Sequence, residues 1–327
     1  MKKNNNGKPN LDMFTRTDKT VFGIFGLVII VVVILKLFDF PFNTSNAEIA
    51  SNKTKPKSAK KNKGTNADTS IMRNGQRNLS QVSILKKWEL PSELKEVSGI
   101  SFMDDQRLVC VQDEAGTVFV FNKTSNKIER KIHFAGAGDF EGIALTDHFI
   151  YVVRADGKLF EVDINASEKT APKIYQTSLT AKHNVEGLCY DRDNNRLLLA
   201  AKDEAPDMPG YKGIYSFDLA SKSLVEKPIF RIDLNQGAFK TSRKKGVMPS
   251  AIAIHPVTKD MFITDGPDAK LLVLDKQGNV KELLQLGKDF SQPEGITFSP
   301  EAEIFISNEG TKGPGNILMV QMMNAAG

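Results

Sequence analysis

One arrangement of apolar and polar positions recurs from Ser98 onward. It opens with a small or acidic residue and a Gly or Ala, followed by a short apolar run, a polar turn and a second apolar run that ends in polar residues. The copies are SGISFMDDQRLVCVQDEAG from Ser98, EGIALTDHFIYVVRADG from Glu141 and EGLCYDRDNNRLLLAAKDE from Glu186, then SAIAIHPVTKDMFITDGPD from Ser250 and EGITFSPEAEIFISNEG from Glu294. A third apolar run follows each copy: VFVFN, LFEVD, IYSFDL, LLVLD and ILMV. The starts lie 43, 45, 64 and 44 residues apart. Short runs at this spacing, with no helical periodicity, predict an all-β chain built as a β-propeller of four-stranded blades. Five copies predict five blades. The 64-residue interval, with Gly-, Pro- and Lys-rich stretches at 203–212 and 233–247, leaves a six-bladed ring open as the alternative. Segments between copies, such as KIERKIHF and KIYQTSL, are expected to form the outer strands. Val82–Leu90 (VSILKKWEL) precedes the first copy and is expected to complete the last blade, closing the ring and removing free sheet edges.

The propeller is thus assigned to residues 81–327, and what precedes it reads differently. Val21 to Phe38 is an 18-residue apolar run with one charge, Lys36. As a helix it would be about 27 Å long, enough to cross a bilayer core of roughly 30 Å. No small-x-small cleavage site follows closely, so residues 21–38 are expected to be a single-pass anchor rather than a removed signal peptide. Residues 1–20 carry Lys2, Lys3, Lys8, Arg16 and Lys19, and positive-inside counting makes them a cytoplasmic tail. The propeller then faces the periplasm or the extracellular side. Residues 39–80, rich in Asn, Ser, Thr and Lys, read as a flexible linker.

Charge follows the same division. Residues 1–80 hold 14 Lys+Arg against 5 Asp+Glu, whereas residues 81–327 hold 30 against 34. The basic balance belongs to the leader, and a nucleic-acid partner is not expected. Cys110 and Cys189 fall inside apolar runs of different copies and are expected to be buried free thiols.

If the first two runs of each copy form a hairpin, the residue opening the first meets the residue ending the second. That pairs Ser98 with Asp113, Glu141 with Arg154, Glu186 with Lys202, Ser250 with Asp265 and Glu294 with Asn308. Carboxylates converging on a narrow channel repel one another and must be protonated, paired or bound to metal. On this reading Glu141 and Glu186 have basic partners, while Asp113, Asp265 and Glu294 have none. A loose cluster of oxygens suits a hard cation such as calcium. The neighbouring column of Glu114, Asp203 and Glu309 stays open as well, because the sequence does not say which column faces inward. The candidate metal-binding residues are therefore Glu141, Glu186, Glu294, Asp265, Asp113, Asp203, Asn308 and Glu309. A purely structural role, in which each glutamate locks one blade to the next, stands beside this one.

The phrases EGIAL, HNVEGLCY and QPEGITF resemble those of the SdiA-regulated family, also called the YjiK/CarP family, over roughly residues 82–322. The resemblance implies a membrane-anchored, five-bladed propeller facing the periplasm, with a calcium site. It also implies distant kinship with NHL-repeat propellers, some of which are metal-dependent enzymes. Glu141, Glu186 and Glu294 match the family's phrase, and Ser98 and Ser250 depart from it. Three functions follow: a calcium-binding module for a small molecule or an envelope protein, with a role in envelope or calcium homeostasis; a metal-dependent hydrolase of esters, lactones or phosphoesters; and a structural scaffold. His183, three residues before Glu186, is the candidate base for the hydrolase. No nucleophile elbow, zincin helix or phosphate-binding loop occurs in the sequence.

Overall fold

The computed structural model describes residues 81–239 and 246–323. The tail at 1–20, the apolar span at 21–38, the linker at 39–80 and the basic residues Arg243, Lys244 and Lys245 of the 233–247 stretch lie outside the described residues. Among the described residues no helix is long and apolar enough to cross a membrane.

The repeat period builds five antiparallel sheets, and apart from short 3-10 turns the described residues hold no helix. Strand β1 (Gln81–Glu89) comes first in the chain but joins the last blade. The first blade holds β2 (Val97–Phe102), β3 (Arg107–Gln112), β4 (Ala115–Asn122) and β5 (Lys127–Ala137). The second holds β6 (Phe140–Leu145), β7 (Phe149–Arg154), β8 (Leu159–Asp163) and β9 (Lys173–Tyr175). The third holds β10 (Val185–Asp191), β11 (Arg196–Glu204), β12 (Tyr211–Asp218), β13 (Ser223–Leu224) and β14 (Phe230–Asp233). The fourth holds β15 (Pro249–Ile254), β16 (Met261–Asp265), β17 (Lys270–Leu274) and β18 (Val280–Gln285). The fifth holds β19 (Pro293–Phe298), β20 (Ile304–Asn308) and β21 (Asn316–Met323), completed by β1.

The six-bladed alternative is thereby corrected. Within the long interval, β13 and β14 both pair with β12, one at each end of it. They form a divided outer strand and not a further sheet. β1 closes the ring as expected, pairing antiparallel with β21 from Gln81↔Met323 to Glu89↔Asn316. Trp88, the only tryptophan, pins this strand to the first blade: its ring is buried between the fifth and first blades, and its Nε1 donates to the Lys123 carbonyl at 2.8 Å.

The core lies between the sheets as five hydrophobic clusters, one for each pair of adjacent blades. The period of two along each inner strand decides the fit. Ile100, Ile143, Leu188, Ile252 and Ile296 pack towards the preceding blade. The residue after each is small or medium (Ser101, Ala144, Cys189, Ala253, Thr297) and faces the following blade, so adjacent inner strands approach closely. Two of these side chains also cap backbone groups across the gap: Ser101 Oγ accepts from Leu145 N at 3.2 Å, and Thr297 Oγ1 from Phe102 N at 3.0 Å. Cys110 and Cys189 are buried free thiols, and burial pushes both well above the usual thiol range.

The Gly of the EG phrase has a steric cause. A Cβ on Gly142 would stand 2.5 Å from the Glu186 carbonyl oxygen and 2.8 Å from Leu188 Cβ, both on the next inner strand. Gly142→Ala is therefore expected to cost about 1–3 kcal/mol of overpacking. Urea unfolding should show a lower midpoint with an unchanged slope.

Candidate metal site at one mouth of the channel

All five inner strands begin with the same irregularity. Val97 pairs with Gln112 and Gly99 with Val111, which leaves Ser98 as the extra residue of a β-bulge. The same slip isolates Glu141, Glu186, Ser250 and Glu294. A bulge re-aims the side chain it carries. The short side chains turn to the neighbouring blade: Ser98 Oγ donates to the Phe140 carbonyl and Ser250 Oγ to the Pro293 carbonyl, each at 2.6 Å. Serine thus performs the blade-locking role. The three glutamates instead line a cavity of about 150 Å³, which is also walled by Glu96, Asp113, Glu309, Gln292 and Lys202.

The bulges also correct the expected cross-strand pairs. Phe140, not Glu141, stands opposite Arg154, and that arginine bridges Asp156 at 2.6 Å. Asp265 is opposite Pro249, not Ser250. It is not partnerless: its oxygens accept from Met248 N and Asp268 N, both at 3.1 Å, and the Lys270 ammonium lies 3.6 Å away. The Lys202–Glu186 pair does form, at 2.7 Å, although Val185 and not Glu186 holds the ladder position. Of the eight candidate ligands, Glu141, Glu186, Glu294, Asp113 and Glu309 line the cavity, whereas Asp265, Asp203 and Asn308 do not. Asn308 is wholly buried, and its Nδ2 donates to Asn316 Oδ1 at 3.1 Å. His183 is also absent from the lining; its Nδ1 accepts from Thr180 N at 3.1 Å.

Four residues that bear on the site escaped the repeat reading: Glu96, Asp139, Asn184 and Gln292. Each sits two positions before the bulged residue of its blade. A polar residue recurs two places before the bulged one in four of the five blades, and that constant offset is the signal that would have found them. Asn184 Nδ2 donates to Glu186 Oε1 at 3.2 Å. Gln292 Nε2 donates to Glu309 Oε2, and the charge of Asp139 acts on Glu141.

With six carboxyl groups and one ammonium in the lining, the cavity resists full ionisation. Burial, reinforced by the charges of Glu186, Asp139 and Glu294, pushes Glu141 up to about 9. Burial with the charge of Glu186 pushes Glu294 up to about 8. Glu186 rises to about 7, because burial outweighs the relief from Lys202. Asp113 is raised by burial and by Glu96, Glu114 and Glu309. Burial works against the charge on Lys202, but Glu186 beside it prevails and holds its ammonium above the usual value. Two carboxylate oxygens, Glu186 Oε2 and Asp113 Oδ1, are buried without a hydrogen-bond partner. The carboxyls surround the space rather than meet in it. Among the described residues, no three His, Cys, Asp or Glu side chains are already drawn into a metal-holding group.

Five antiparallel blades about a channel with an acid-lined mouth define a β-propeller protein with a polar, oxygen-rich central site. The chain belongs to the SdiA-regulated family, whose sequence pattern matches residues 79–312. No curated protein matches it by sequence. Among solved structures, it is similar to the glutaminyl cyclase of Myxococcus xanthus, with 14% identity, coverage of 74% of this chain and 97% of that one, and a TM-score of 0.54. A luciferin-regenerating enzyme is similar at 11% identity, 76% and 97% coverage and a TM-score of 0.47. At these identities the likeness is one of fold alone.

Proposed function

We propose that this protein is a calcium-binding propeller that serves as a ligand- or protein-binding module of the cell envelope. In this reading the span at 21–38 tethers it to the membrane, with the propeller on the periplasmic or extracellular side, and its role lies in envelope or calcium homeostasis. The observation that carries the calcium assignment is Glu186 Oε2, a carboxylate oxygen buried with no partner in a cavity lined by carboxyls. Leaving such an atom unsatisfied is costly, and a cation relieves it while neutralising its neighbours. The donors are all oxygen, which fits a hard ion with a large and flexible shell. Glu186, Glu294, Glu141, Asp113 and Glu309 are the residues that would hold it. The hydrolase reading gains no support: no histidine lines the cavity, and the hydroxyl of Ser98 is committed to the Phe140 carbonyl.

Isothermal titration of the chelator-treated full-length protein with calcium, and separately with magnesium, tests the assignment. Calcium is expected to bind, and at a hundredfold excess over its dissociation constant it should stabilise the fold by about 2.7 kcal/mol. Glu186→Gln and Glu294→Gln should each weaken binding by about tenfold or more, corresponding to roughly 1.4 kcal/mol. Asp203→Asn, outside the lining, should change it little. Equal losses in all three variants, or no heat and no thermal shift with either ion, would refute the assignment.

A further inference from the structure

The acidic cavity occupies only one end of the channel. At the Gly99, Gly142, Gly187 and Gly295 level the inner strands touch, since a Cβ on any of them would meet atoms of an adjacent strand. Just beyond lie Ile100, Ile143, Leu188, Ile252 and Ile296, one from each blade. From there the channel opens into a funnel of about 400 Å³ on the far side. Its wider tier is formed by the residues two further along each strand: Phe102, Leu145, Tyr190, Ile254 and Phe298. All but Phe298 are only partly buried, so this tier keeps apolar surface open to the cavity.

The rim is charged, but its charges are already matched. Arg192 pairs with Asp147 at 2.8 Å, Lys259 with Asp193 at 2.8 Å, and Asp191 with Arg196 at 2.7 Å. The Arg192 guanidinium also lies 5.4 Å from the centroid of the Tyr190 ring. A charged guest would have to leave water without finding an unmatched partner. An uncharged guest with an apolar body gains from both tiers and loses little at the rim. The volume falls within the roughly 300–1,000 Å³ of small-molecule sites.

We propose that this funnel is a second binding site, for a small uncharged organic molecule with an aromatic or alicyclic body, walled by all five blades and separate from the acidic cavity. It does not rest on the calcium reading. The wall supplies its own reporters, because most of its aliphatic residues are isoleucines.

The test is a titration of the full-length protein, carrying ¹³C-labelled isoleucine δ1 methyls, with indole in the presence of chelator. Saturable shifts are expected at Ile100, Ile143, Ile252, Ile254 and Ile296, with a dissociation constant of about 1 mM or tighter. The exposed Ile84 and Ile174 should not move with them. Cyclohexanol should displace indole, whereas tryptamine and indole-3-acetate should bind about tenfold more weakly for want of an unmatched rim charge. Leu145→Trp, which fills the funnel from its own wall, should abolish the shifts in a variant that still unfolds cooperatively. If that variant does not fold, the competition by cyclohexanol decides the same point. Shifts that fail to saturate or spread equally to Ile84 and Ile174, a failure of cyclohexanol to compete, or tighter binding of a charged analogue would each overturn the proposal. Loss of calcium binding in the parallel experiment leaves it standing.

Discussion

Glu161→Ala is expected to be among the most destabilising single substitutions in the propeller. Glu161, on β8, is almost wholly buried, and its carboxylate accepts from four donors: Tyr151 Oη at 2.6 Å, Tyr175 Oη at 3.0 Å, Lys173 Nζ at 3.2 Å and Lys222 Nζ at 2.6 Å. Lys222 comes from the third blade, at the left-handed end (φ 55°) of the turn between β12 and β13. Its ammonium stands 5.2 Å from the centroid of the Tyr151 ring and 5.8 Å from that of Tyr175. Removing the carboxylate strands an ammonium and two hydroxyls, and breaking a buried ion pair costs about 3–5 kcal/mol. The lower end, about 3 kcal/mol, is expected here because both lysines reach solvent. Chemical denaturation measures the loss, and a double-mutant cycle with Lys222→Met isolates the bond between the blades.

The same site predicts an acid signature. Burial alone would raise the Glu161 carboxyl, but the hydrogen bonds from Lys222, Tyr151, Lys173 and Tyr175 outweigh it and hold it at about 2, below its ordinary 4.5. A carboxyl depressed on folding stabilises fully above its unfolded value, and the benefit fades as pH falls through the folded one. Wild-type stability should therefore drop between about pH 4.5 and 2 through this group, and the Glu161→Ala protein should lack that component.

The acidic cavity predicts the opposite slope. Glu186, Glu294 and Glu141 are raised on folding from 4.5 to about 7, 8 and 9. Between the unfolded and folded values the native state holds more protons, so stability falls as pH rises. Metal-free protein should be less stable at pH 8.5 than at pH 5.5 by more than about 1.4 kcal/mol, the worth of one pKa unit. That figure is well below a simple sum, because carboxyls sharing one cavity titrate as a group. Saturating calcium should flatten or reverse the slope, since the ion competes with those protons and binds best where they are gone. Thermal unfolding across this range, with chelator and with calcium, measures both limbs. A metal-free protein whose stability does not change over the range would show that the carboxyls do not confront one another.

The blades were legible because the sequence repeats at nearly constant spacing, and because VSILKKWEL, standing before the first copy, offered a strand with no partner in its own neighbourhood. The site was legible in type but not in register. Counting from one strand end to the other assumes an unbroken ladder. The bulge at Ser98, Glu141, Glu186, Ser250 and Glu294 moves each ladder position by one, and that cost Glu141 its expected partner Arg154. Asp265 finds its base in Lys270 on the third strand of its blade, beyond the two-run hairpin that the repeat defines. The Glu161 cluster left no mark in the repeat. Lys222 sits in a turn of another blade, 61 residues away, and only the packing of the second and third sheets brings it to Glu161.

The clasp between β1 and β21 sets Gln81 directly beside Met323. A short covalent bridge there would turn the propeller into a seamless loop, and the chain could then be cut in a surface turn such as Thr124–Asn126 without breaking a ladder. Order along the polypeptide and order around the circle are thus separable in this protein. What must be conserved is which sheet follows which, not which one is made first.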